Sequence, residues 1–176
     1  MKKIVSFSLF EAIENEGRLS EKVAEILNDQ IKNELQSSQI YRGMSCWLDN
    51  AGWNDAAKYY FKSAQEELSH MDKVYQYLFD RNVVAIVPET DEVKQEFETL
   101  REIVEDSLQH EMDVTKEWEE ISETAKEEDD NTTYEFAQWF LKEQISEENK
   151  FRDVLDKMNL DMPKYEIDLI FKNLPQ

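Results

Sequence analysis

At helical spacing the chain carries four long stripes of apolar positions. Each is broken by a polar residue where packing would place a hydrophobe. The first stripe is Val23, Leu27, Ile31, Ser38 and Tyr41, with Ser20 placed to cap it and Gly52 suited to end it. The second helix starts near Asn54 and ends near Arg81, with Tyr60, Ala64, Glu67, Met71, Val74 and Leu78 on one face. The third is predicted over about 91–126, with Leu100, Val104, Leu108, Glu111, Thr115, Trp118 and Ile121 as its seam. Thr132-Thr133-Tyr134-Glu135 reads as a capping box opening the fourth, which carries Ala137, Phe140, Gln144, Glu147, Phe151, Val154 and Met158. A short fifth helix follows Asp161 and Pro163 and runs to about Lys172.

Between the second and third helices, residues 82–90 are rich in β-branched side chains and include Pro88. They predict extended chain. A lone strand has no sheet to join, so this segment reads as a crossover spanning roughly 30 Å. The fold class is therefore all-α: a four-helix bundle with a long second-to-third crossover and a short fifth C-terminal helix. The expected division is an extension at 1–19, the bundle at 20–160, and a short helix and tail at 161–176.

The polar breaks share one height. Glu34 lies 17 residues before Ala51 and Glu67 lies 16 after it; Glu111 lies 19 before Asp130 and Glu147 lies 17 after it. At ~1.5 Å per residue these levels agree within about one helical turn. One buried carboxylate is usually explained by a hydrogen bond to a tyrosine or hydroxyl. Four at one level need cations, because buried charge is costly unless it is paired. His70 follows Glu67 by three residues, so both point from one helix face. Hard oxygen ligands with one imidazole suit iron or manganese better than a closed zinc site.

Composition narrows the picture further. The 176 residues include three glycines and three prolines, which favours long helices. Lys and Arg number 20 against 40 Asp and Glu, a net charge of −20, which argues against nucleic acid and for attraction of cations. Cys46 stands alone, so no intrachain disulfide forms and a reducing, cytoplasmic compartment fits. Residues 1–10 resemble a signal peptide faintly, but the apolar run stops at Glu11 with no small-residue cleavage site after it. They read as a non-secretory extension. No run reaches the ~20 apolar residues of a membrane span.

Three stretches carry a family resemblance: Asn33-Glu34-Leu35-Gln36-Ser37-Ser38 with Tyr41, Ala64-Gln65-Glu66-Glu67-Leu68-Ser69-His70-Met71, and Gln138-Trp139-Phe140-Leu141-Lys142-Glu143-Gln144. Together they resemble the bacterial non-haem ferritins over about 20–173. The resemblance implies a di-iron ferroxidase centre. Glu34, Glu67 and His70 would hold one iron, and Glu67 would bridge to a second held by Glu111 and Glu147. Gln144 would lie beside them near bound oxygen, and Tyr41 next to the centre. It also implies Fe(II) and O2 or peroxide as reactants and a homo-oligomeric cage of twenty-four subunits storing Fe(III) mineral.

The departures are informative. Gln144-x-x-Glu147 replaces a second Glu-x-x-His. Leu68 follows the bridging position where a haem-binding relative would carry methionine, so no haem is expected. The family's third iron site would use Glu66, Glu143 and Glu147, but Ser146 stands at its fourth carboxylate position, which predicts a weakened third site. The alternatives are a metal-buffering or other-cargo cage, a rubrerythrin-like di-iron oxidase, and a plain helical interaction protein. The lone cysteine counts against the second when it carries a rubredoxin domain, and the matched intrusions count against the last.

Overall fold

The computed structural model describes residues 19–175. The expected N-terminal extension, apart from Leu19, lies outside them. Five helices follow in order: α1 (Glu21–Asn50), α2 (Asn54–Asp80), α3 (Leu100–Glu127), α4 (Asn131–Met158) and α5 (Lys164–Lys172). Short turns join α1 to α2 and α3 to α4, so each pair is antiparallel. Ser20 caps α1 by accepting from Val23 N, and Gly52 takes φ +76° just past its end, where a side chain would be strained.

The crossover decides the topology. Ile86 N donates to Asn28 Oδ1, Asp91 N donates to Gln36 Oε1, and the Phe97 ring packs edge-on against Trp47. The segment thus climbs α1 from its first turns to its last. A Cβ on Gly43 would lie 3.1 Å from Lys94 O, so a residue without one lets the chain pass. Because α2 ends at the foot of α1 and α3 begins at its top, α2 and α3 run parallel.

This path also corrects the expected start of the third helix. Residues 91–99 are not helical: α3 begins at Leu100, capped by Thr99, whose hydroxyl accepts from Glu102 N. Asp91 bonds to Lys32 and Gln36 of α1 and Phe97 packs against Trp47, a tertiary preference that outweighs the helical spacing of this segment. The capping box at Thr132 is likewise displaced. Asp130 is the N-cap of α4 and accepts from both Thr132 N and Thr133 N, while Glu135 is exposed. A carboxylate at the N-terminus satisfies two free amides and the helix dipole together.

Helix α2 has no side-chain cap of its own. Asp168 of α5 supplies one, accepting from Asp55 N and Ala56 N, while Phe171 inserts into the core beside Tyr59 and Tyr60. The apolar core forms two clusters. The lower contains Val23, Leu27, Ile31, Leu78, Trp118 and Phe140; the upper contains Tyr41, Leu48, Tyr60, Ile103, Phe151 and Phe171. On every bundle helix a polar segment separates the two.

Asp130 also accepts from Thr133 Oγ1 at 2.7 Å and pairs with Arg81 Nη2 at 3.2 Å, tying the α3–α4 turn to the end of α2. Asp130→Ala is expected to cost about 1–2 kcal/mol, seen as a lower melting temperature by circular dichroism. An unchanged melting temperature would refute the cap.

Candidate metal centre

The layer between the two clusters holds the intrusions together. Glu34 (α1), His70 (α2), Glu111 (α3) and Gln144 (α4) are all buried, and Glu67 and Glu147 are nearly so. Each sits on its helix's inward face, one or two turns from a core hydrophobe, so the packing of the two clusters holds them level.

Histidine 70 is the hub. Its Nδ1 lies 3.1 Å from Glu67 Oε2 and 3.9 Å from Glu34 Oε2. Its Nε2 lies 3.4 Å from Glu143 Oε2, an ionic contact without hydrogen-bond alignment. Glu34, Glu67 and His70 each turn one ligand atom into a space where these atoms lie within 4.8 Å of one another, and Glu66, His70 and Glu143 form a second such group. Glu34 Oε1 accepts from Gln30 Nε2 at 2.8 Å and Trp118 Nε1 at 3.3 Å, while Oε2 is buried with no hydrogen-bond partner. An orphaned carboxylate oxygen beside an imidazole nitrogen fits a cation.

On the opposite side Glu111 accepts from the Tyr41 hydroxyl on Oε1 and from Gln144 Nε2 on Oε2 at 2.8 Å. Glu147 Oε1 accepts from Lys150 Nζ at 2.6 Å. The rings of Trp118 and Phe140 stack at 3.7 Å beneath the layer, and Phe140 meets the His70 ring edge-on.

The electrostatics describe a centre short of positive charge. Burial, then the charge of Glu67, pushes the Glu34 carboxyl above its usual range. Burial raises Glu67 too, although His70 opposes it. Glu111 is pushed up to about 7, by burial first, despite the bonds from Tyr41 and Gln144. Burial disfavours a charged imidazole at His70, but contacts with Glu143 and Glu67 and the surrounding carboxylates outweigh it, raising His70 to about 11. Burial and the Glu111 charge hold the Tyr41 phenol well above its usual value, so it keeps its proton and donates a hydrogen bond to the carboxylate.

The structure thus gathers Glu34, Glu67, His70, Glu111, Gln144, Glu147 and Tyr41 in one layer, with Glu66 and Glu143 at its edge. Ser146 is exposed and brings no carboxylate to that edge. The other histidine, His110, is packed edge-on to Tyr41, bonds Ser37 Oγ and is held down to about 4 by burial. It belongs to the packing around the layer.

Three participants escape the sequence pattern. Gln30 lies one turn before Glu34 and reads as a surface residue. Trp118 reads as core, and its indole N–H is visible only once its direction is known. Lys150 is buried, although lysine is the residue type least expected there. Its spacing of three from Glu147 was the available signal.

A family model of the ferritin-like domain matches residues 24–160. The chain is 36% identical over 141 residues to a probable bacterial non-heme ferritin-like protein of Haemophilus influenzae, covering 80% of this chain and 86% of that one. It is 32% identical over 142 residues to a bacterial non-heme ferritin of Escherichia coli O6:H1, covering 81% and 86%. Among solved structures, an open pore ferritin from Archaeoglobus fulgidus superposes with a TM-score of 0.85 at 31% identity, over 90% of this chain and 98% of that one. A family model over residues 24–160, relatives above 30% identity over four fifths of the chain and the close superposition agree: the chain belongs to the ferritin family.

Proposed function

We propose that this protein is an iron-storage ferritin that oxidises Fe(II) at the layer within each subunit and keeps Fe(III) as mineral inside a cage. The observation that carries this reading is the orphaned Glu34 Oε2 facing His70 Nδ1 and Glu67 inside the core. Glu34, Glu67 and His70 hold one Fe(II). Glu67 bridges to a second, held by Glu111 and Glu147. Each Fe(II) gives up one electron, so a filled pair delivers two to O2, which takes two protons to leave as H2O2; with peroxide as oxidant, the same pair yields water.

Other side chains prepare these ligands. Glu143 faces His70 Nε2 and so keeps Nδ1 turned to the metal, the usual role of a carboxylate behind a ligating imidazole. Tyr41 and Gln144 orient Glu111 before metal arrives. Gln30 and Trp118 hold one oxygen of Glu34 so that the other stays free. With Glu143 turned to His70 and Glu147 paired with Lys150, a third iron beside Glu66 has a weak ligand set. Along the described residues no helix is long and apolar enough to cross a membrane, and the reading places the protein in a reducing cytoplasm.

Assembly rests on the crossover. Val84, Ile86 and Val87 are 59%, 58% and 84% exposed, too apolar a run to leave in water. A cage of twenty-four subunits covers it. Light scattering is expected to report a particle many times the 21.0 kDa chain mass; a monodisperse monomer at micromolar concentration would overturn the cage.

Stopped-flow absorbance tests the chemistry. Glu67→Ala and His70→Ala should each slow Fe(II) oxidation by about tenfold or more, since each removes one metal ligand. In the native protein the fast phase should consume about two Fe(II) per subunit. Native rates in either variant would move the centre elsewhere, and a fast phase of about three would restore the third site.

Metal-free stability should depend on pH. Glu34, Glu67 and Glu111 titrate higher in the folded chain than the usual 4.5. The folded state therefore holds more protons than the unfolded state between 4.5 and about 8, and stability falls as pH rises through that window. His70 acts in the same direction, its contribution complete below 6.5 and lost as pH rises through about 11. The melting temperature of the metal-stripped protein should fall from about pH 5 to about pH 8 and recover on adding a divalent metal, which takes the place of the protons. A rise across the window without metal would contradict these shifts.

A further inference from the structure

Lys150 is the one buried lysine among the described residues, with 7% of its surface exposed. Its Nζ makes one hydrogen bond there, to Glu147 Oε1 at 2.6 Å. A lysine so buried needs a charged partner, and this partner is a carboxylate assigned above to the second iron. Neighbouring donors are engaged elsewhere: Gln144 turns its amide to Glu111, and Arg152 pairs with Glu148. The two halves of the centre therefore differ before any metal arrives. Glu34 Oε2 makes no hydrogen bond, and His70 Nδ1, itself a metal-ligand atom once its proton leaves, stands 3.9 Å away, whereas Glu147 Oε1 is bonded at 2.6 Å by an ammonium that cannot serve as a ligand.

We infer that Lys150 is a built-in competitor for the second cation: a divalent metal enters beside Glu111 and Glu147 only by displacing the Lys150 ammonium. This rests on the metal centre proposed above. An ammonium and a divalent cation on the same carboxylate repel across a few ångströms, and burial strengthens that repulsion. Filling is therefore ordered, first at Glu34, Glu67 and His70, then at Glu147. The lysine's flexible stem lets its charge swing away and return. When the oxidised pair leaves, the ammonium takes Glu147 back, which favours clearing the second position.

The test is a calorimetric titration of the whole native assembly, stripped of metal, with Co(II), whose visible spectrum reports coordination without redox change. Native protein should show one tight site per subunit and a second at least about tenfold weaker. Lys150→Met should tighten the second site by about tenfold or more, while its metal-free melting temperature falls because Glu147 has lost its partner. Lys150→Gln, neutral yet still able to donate to Glu147, should tighten the site in the same direction and guards against a packing failure in the methionine variant. Lys150→Arg should leave it weak. Two equal tight sites in the native protein, or a second site unchanged in both neutral variants, would overturn the competitor role while leaving the centre intact. No Co(II) binding in any form would overturn both it and the proposed function.

Discussion

Several carboxylates can share one layer of a protein core only in the company of positive charge. That constraint shapes this molecule. The layer of Glu34, Glu67, Glu111 and Glu147 divides the hydrophobic interior into an upper and a lower cluster, and neither can extend through it. Each cluster nevertheless fixes the layer from its own side. Trp118 and Phe140 stack below it, and Tyr41, Tyr60 and Phe151 pack above it. Close packing on both sides leaves the acidic side chains little room to turn away, so repulsion is met by protons, by hydrogen bonds, by Lys150, or by metal.

The donors are distributed unevenly, and the unevenness is informative. Glu111 is satisfied on both oxygens by Tyr41 and Gln144, and Glu147 on Oε1 by Lys150. Glu34 is satisfied on one oxygen only. A carboxylate held by neutral donors keeps its position when metal arrives, because those bonds orient it without cancelling its charge. A carboxylate held by an ammonium must exchange partners. One layer thus contains a carboxylate held by neutral donors and another held by an ammonium.

The outer framework serves the same layer. The climb of the crossover along α1 makes α2 and α3 parallel, which brings a carboxylate from each to a common height. Asp130 caps α4 and ties it to Arg81 at the end of α2, and Asp168 caps α2 from α5. These contacts lie at helix ends, but each fixes the axial position of a helix, and a slip of one residue would shift a carboxylate of the layer by about 1.5 Å.

The sequence by itself determined the helices, their inward faces and the height of the polar layer. Apolar periodicity and residue counts between turns are local properties of a helix with a constant rise, so Glu34, Glu67, His70, Glu111, Gln144 and Glu147 could be placed in one layer without coordinates. Tertiary structure decided what local pattern does not encode. Residues 91–99 have helical spacing, yet they bond to α1 because the crossover needs their length. Asp130 displaced Thr132 as the cap because its carboxylate reaches two amides and Arg81. The partners of each carboxylate were decided in the same way. Gln30, Trp118 and Lys150 donate according to where their side chains point across the packed interior, and that direction is set by neighbours distant in sequence.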